Sequence, residues 1–79
     1  MKLTKKEQLL SFIRSNGRVK TSDVDAWGYS NKYTTAMRTA RQLAQEGFIR
    51  RATSEEQIES FPFTKRERVW VFVKDIKIT

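Results

Sequence analysis

The stretch from Thr21 to Arg51, TSDVDAWGYSNKYTTAMRTARQLAQEGFIRR, constrains this chain more than any other. It divides into a short helix, a tight turn, a longer helix with a polar outer face, and a Gly-Phe-Ile-Arg-Arg passage into a strand. Thr21 or Ser22 is placed to cap the short helix, and Asp23 and Asp25 in its first turn complement the helix dipole. Val24 and Trp27 lie three apart and face inward. Gly28 is expected to stop this helix near residue 27, with Tyr29-Ser30 making the turn. The longer helix is expected over about 31–46, its buried face built from Tyr33, Ala36, Met37, Ala40, Leu43 and Ala44. Its opposite face carries Asn31, Thr34, Thr35, Arg38, Arg41 and Gln42. Gly47 supplies the left-handed residue that ends it.

The flanking segments complete a small α+β domain. Thr4 and Glu7 form a T-x-x-E capping box, and Leu9, Leu10 and Ile13 follow at helical spacing, which predicts a first helix over about 4–15 ended by Asn16-Gly17. Arg18-Val19-Lys20 alternates enough for a very short strand. Phe48 to Thr53 reads as a strand that returns Phe48 to the core, with Ile49 as a second candidate there. Arg68 to Val73 is the strongest strand, β-branched and aromatic throughout. Between these strands, Pro62 argues against a regular ladder. An antiparallel hairpin with a long tip, about residues 48–73, is expected there. The segment Ser54-Glu55-Glu56-Gln57-Ile58 is able to make one helical turn within it.

Composition narrows the functions. The 79 residues make one domain with little room for a deep cleft, and the chain has no Cys and no His. Disulfides, thiolate metal sites and the commonest general base are therefore excluded. Asp23 and Asp25 point in different directions, and Glu55 and Glu56 fall in a loop, so no carboxylate dyad is visible. The expectation is a non-enzyme with no cofactor, no metal and no evident small-molecule ligand. No apolar run reaches the roughly 18–20 residues of a membrane span. An intracellular location is expected, in cytoplasm or nucleoid, or in host cytoplasm for a viral protein. The net charge is +7, and residues 1–53 carry all of it, with 11 basic and 4 acidic side chains, against 5 of each in 54–79. A positive field confined to the helical part suits a polyanionic partner; general solubility is the plainer explanation.

The segment Leu43-Ala44-Gln45-Glu46-Gly47-Phe48-Ile49-Arg50-Arg51 is similar to the L-x-x-x-G-[LF]-[IV] signature of winged helix-turn-helix regulators. The element order over about residues 4–74 resembles the same superfamily, in particular its small, basic, stand-alone members among phages, archaea and archaeal viruses. The resemblance implies three helices with a β-hairpin wing, and a third helix laid in the major groove of double-stranded DNA by a transcriptional regulator. The wing departs from the pattern: its tip is not Gly-rich, and Glu55, Glu56 and Glu59 make its first half acidic.

The outer face of the third helix has the chemistry for that role. Arg38 can make paired hydrogen bonds to guanine, and Asn31 or Gln42 to adenine. Thr34 and Thr35 can donate to phosphate or rest a methyl on thymine. Ser30 and Lys32 suit phosphates near the start of the helix. Arg41, Arg50, Arg51, Lys65, Arg66 and Arg68 are the further phosphate candidates. Trp27 and Tyr33 fall on inward faces and are expected in the core rather than against bases. Trp70 and Phe72 share one face of the last strand, and Val69, Val71 and Val73 the other. With Ile76 and Ile78 in the tail, this apolar excess predicts a homodimer. Two other readings compete: a protein–protein adaptor of the same fold, and a nucleic-acid binder without sequence preference.

Overall fold

The computed structural model describes residues 3–63 and 67–75. The first helix, α1 (Lys5–Asn16), begins at the expected box: the Glu7 N–H donates to Thr4 Oγ1 at 3.2 Å, and the Thr4 N–H donates to the Glu7 carboxylate at 3.1 Å. Its buried stripe is Leu9, Leu10 and Ile13. It ends at Gly17, whose φ of 76° lets its N–H reach back to the Ile13 carbonyl at 2.8 Å. Strand β1 (Arg18–Lys20) follows directly.

Helix α2 (Thr21–Ser30) is longer than expected, and Gly28 lies inside it, buried, rather than at its end. The reason is the crossing with the next helix. A Cβ on Gly28 would stand 2.7 Å from the Ala36 Cβ and 2.7 Å from the Tyr33 carbonyl oxygen. The glycine therefore permits a close approach and does not terminate anything. Neither Thr21 nor Ser22 acts as cap; the N-cap position is Lys20, whose N–H donates to Asp23 Oδ2 at 3.0 Å. At the other end, the Asn31 side-chain amide donates to the Trp27 carbonyl at 2.8 Å and closes α2.

The turn therefore falls after residue 30, not at Tyr29-Ser30, and Lys32 occupies the left-handed region at φ 53°. That conformation interrupts helical continuation, so α3 spans Ala36–Gln45 instead of 31–46. Its buried residues are Ala36, Thr39, Ala40 and Leu43, with Met37 and Ala44 half-buried. Thr39 is an unforeseen core residue; its hydroxyl meets the Tyr33 hydroxyl at 2.5 Å. Hydrogen bonds from Thr35 and Thr39 hold the Tyr33 phenol below its ordinary range. Trp27 lies between Phe12 and Tyr33, both ring centroids 6.1 Å away, as part of the packing around the core.

Gly47, at φ 87°, turns the chain from α3 into β2 (Ile49–Arg51). Ile49, rather than Phe48, is the fully buried residue here; Phe48 packs at the core margin. The last strand is β3 (Val69–Phe72), and the sheet is antiparallel in the order β1-β3-β2. Residues directly opposite share a face, and faces alternate along a strand. Val19, Trp70, Ile49 and Phe72 thus meet α1 and α3, with Arg51 beside Trp70 on that same side. Arg18, Val71 and Arg50 fall on the other face, as do Lys20 and Val69.

That second face is covered by a fourth helix, α4 (Ser54–Ser60), which replaces the expected long hairpin tip and raises three helices to four. Thr53 and Glu56 cap it with a box of the same T-x-x-E form as Thr4–Glu7. Arg18 donates to the Glu56 carbonyl and to Ser60 Oγ, and the Lys20 ammonium lies 5.4 Å from the Phe61 ring centroid. Val69 is 2 % exposed as a result. The homodimer expectation began from an uncovered second face of β3, and α4 removes that premise over Val69 and Val71. Val73 remains 47 % exposed beyond the strand end. Ile76 and Ile78 lie outside the described residues.

Candidate nucleic-acid interface

The outward side chains of α3 are Arg38, Arg41, Gln42 and Gln45, all exposed. Arg38 and Gln42 are four apart, and so are Arg41 and Gln45, which puts each pair on adjoining turns of one face. The inner face of the helix is clamped by Ala36, Ala40 and Leu43 against the core, so this outer face has a defined orientation. Gln45 was not among the expected readers, although its i+7 spacing from Arg38 already placed it there.

The expected start of this surface is corrected. Ser30 is the last residue of α2, and Asn31 is half-buried with its amide committed to Trp27, so neither belongs to the first turn of α3. Thr34 and Thr35 immediately precede Ala36 and are exposed, and Thr35 makes no side-chain cap bond. Lys32 projects from the turn, exposed. Between them opens a cleft of about 620 Å³ lined by Asp25, Gly28, Tyr29, Lys32, Tyr33, Thr34 and Ala36. Tyr29, 90 % exposed, also lines it and belongs to α2 rather than to the expected turn.

The cations divide into two sets. Lys6 pairs with Glu46, Arg14 with Asp75, Arg18 with Glu56 and Glu59, and Arg50 with Glu56. These pairs lie along α1 and α4. Among the described residues, Lys5, Lys20, Lys32, Lys74, Arg38, Arg41, Arg51 and Arg68 have no ion-pair partner, and the unpaired arginines are Arg38, Arg41, Arg51 and Arg68. Arg41 connects Arg51 and Arg68 in space. It lines one cleft with Thr21, Ser22, Glu67 and Arg68, and another with Gln45, Arg50, Arg51 and Trp70. The unpaired guanidiniums are thus gathered on and beside α3, and of the paired ones Arg50 lines the second of these clefts.

Sheet alternation explains the contrast between the two neighbouring arginines. Arg51 points to the α3 side and is unpaired, whereas Arg50 points to the α4 side and makes two parallel hydrogen bonds to Glu56, at 2.8 and 2.9 Å. Arg50 is thereby committed to the fold, contrary to its expected assignment to phosphate. Its guanidinium, with the Thr53 backbone, pulls the Glu56 carboxyl down to about 2. Lys65 and Arg66, the remaining expected phosphate ligands, lie outside the described residues.

Among the described residues there is no group of three acidic side chains placed to hold a metal ion, and no helix long and apolar enough to cross a membrane. Comparison with protein-family models, curated proteins and solved structures finds no match to this chain.

Proposed function

We propose that this chain is a double-stranded DNA-binding protein of the winged helix-turn-helix kind, acting as a transcriptional regulator, with α3 in the major groove. The observation that carries the reading is the gathering of the unpaired arginines, Arg38, Arg41, Arg51 and Arg68, on and beside α3. Ten residues give α3 a length of about 15 Å, and the B-form major groove, about 12 Å wide, admits a helix. Arg38 and Gln42 would read base edges, with Thr34 and Thr35 at the leading end. Arg41, Arg51, Arg68 and Lys32 would neutralise phosphates on either side. With α4 folded back on the sheet, the β2–β3 connection is not drawn on for groove contact. Its acidic side chains suit that position, since they would repel a phosphate backbone.

Two features support the adaptor as the second reading. Ile58 is 65 % exposed on α4 between Glu55 and Glu59, an acidic and apolar face unlike the α3 surface. Phe63, just beyond, is fully outward at 98 %. A homodimer on DNA would require two half-sites about one helical turn apart.

The test is fluorescence anisotropy with a random duplex library against its single-stranded counterpart at two salt concentrations, followed by sequencing of the bound fraction. Enrichment of a duplex motif is expected, palindromic if the chain dimerises. Salt-sensitive binding without enrichment would replace the regulator with a non-specific binder. Absence of binding at low salt would favour the adaptor.

A further inference from the structure

One polar group of the central strand is left unanswered. Trp70 is 4 % exposed, and its indole Nε1–H is buried with no hydrogen-bond partner among the described residues. A buried donor without an acceptor is costly, and few persist in folded proteins without a water, an ion or a ligand to accept from them. The core supplies no acceptor, because the buried cluster to which Trp70 belongs has only apolar side chains. Trp70 also lines a cleft of about 460 Å³ between the end of α3 and strands β2 and β3. Arg51 stands directly opposite Trp70 on the same face of the sheet, and Arg41 and Gln45 border the cleft from α3. Arg41 and Arg51 have no ion-pair partner, and no acidic side chain among the described residues lines the cleft. The Gln42, Leu43 and Ala44 carbonyls at the end of α3 already accept from the Glu46, Phe48 and Gly47 N–H groups, which limits the free negative charge there. Two available guanidiniums thus flank a neutral donor that lacks an acceptor. A phosphodiester, with two anionic oxygens, can accept from all three.

We propose that this cleft binds one phosphate of a duplex backbone, with Trp70 Nε1–H and the Arg51 guanidinium donating to its oxygens and Arg41 supplying the second charge. The inference rests on the DNA-binding reading of the α3 face and deepens it, since it assigns a phosphate contact to a residue without charge. Access requires side-chain movement alone. Arg41, Gln45 and Arg51 are long and exposed, and new rotamers uncover the indole edge while the backbone stays in place. The ring itself is held by the core, so its N–H keeps one position. A phosphate seated on it fixes the register of α3 along the groove, because phosphate contacts position a protein and base contacts specify the sequence.

The chain has two tryptophans, so nitrogen–proton spectra carry two indole N–H resonances, with Trp27 as an internal reference. The full chain is titrated with random-sequence duplex and, separately, with inorganic phosphate against chloride of equal ionic strength. The Trp70 indole resonance is expected to move downfield and saturate with duplex, and to follow phosphate but not chloride, while Trp27 stays in place. Trp70→Phe keeps an aromatic ring in the core and removes the donor. It is expected to weaken binding to every duplex roughly tenfold. The slope of log affinity against log salt should not change, because indole is neutral, whereas Arg51→Ala reduces that slope by about 0.9. Trp70→Phe binding as tightly as wild type would overturn the proposal, as would equal movement of both indole resonances. If duplex binds and the Trp70 resonance does not respond, the DNA-binding reading stands and the phosphate site fails. If phosphate shifts Trp70 but no duplex binds, the anion site stands and the DNA-binding reading fails. Should Trp70→Phe not fold, the wild-type titration decides alone.

Discussion

The Arg50 guanidinium grips the Glu56 carboxylate with two hydrogen bonds, at 2.8 and 2.9 Å, and so fastens α4 to the edge strand β2. Arg18, on the opposite edge strand, reaches the same carboxylate at 3.6 Å. Glu56 also caps its own helix through the Thr53 N–H. One side chain thus holds a seven-residue helix across three strands.

Acid should release this helix in a predictable window. Glu56 titrates near 2 when folded, below its ordinary value of 4.5. A depressed carboxyl stabilises the fold fully above the unfolded value, and the contribution fades as pH falls through the folded one. The stability difference between wild type and Glu56→Gln should therefore be constant near neutrality and shrink between about pH 4.5 and 2. Urea titrations of both proteins across that range measure it. A difference that does not change with pH would show that the pair contributes no proton linkage.

Arg50 and Arg51 should separate stability from binding. Arg51→Ala is expected to weaken binding to all duplexes alike and to reduce the salt slope by roughly one. Arg50→Ala should leave the slope close to wild type while lowering the melting temperature, because its charge is already spent on Glu56. Anisotropy and thermal denaturation on the same two variants check both halves. A loss of slope on Arg50→Ala would return that residue to the DNA interface.

Arg38 should behave as a reader. Arg38→Ala is predicted to cost about 1–3 kcal/mol on the preferred duplex and to relax preference at one base position. Selection from a random library with wild type and variant compares the two motifs. Equal losses on every sequence would reduce Arg38 to a phosphate contact.

Gly28 should tolerate no side chain. An added Cβ meets backbone and side-chain atoms at 2.7 Å, so Gly28→Ala must push α2 away from α3. Overpacking of this kind costs about 1–3 kcal/mol, read from a urea midpoint. The crossing sets α3, which bears Arg38 and Arg41, and the turn that bears Lys32, so duplex affinity should fall as well.

Much of this molecule was written locally. The Thr4–Glu7 box, the left-handed glycines 17 and 47, and the apolar spacing of Leu9, Leu10, Ile13, Ala40 and Leu43 all act within a few residues. They determined where α1 begins and ends, where α3 ends, and that Arg38, Arg41 and Gln42 face outward. A second T-x-x-E box at Thr53–Glu56 carries the signal for α4, which extends the single expected turn to Ser54–Ser60.

Tertiary structure decided the rest. Gly28 ends a helix by local rules, yet here it lies within α2, where the close approach of Ala36 and the Tyr33 backbone leaves no room for a Cβ. Arg50 and Arg51 are equivalent in sequence, and only strand pairing with β3 sends one to Glu56 and leaves the other beside α3. Glu67 reaches Ser22 across 45 residues. Capping and periodicity are short-range and survive in any fold, whereas the pairing of charges far apart in the chain depends on which faces the packed core brings together.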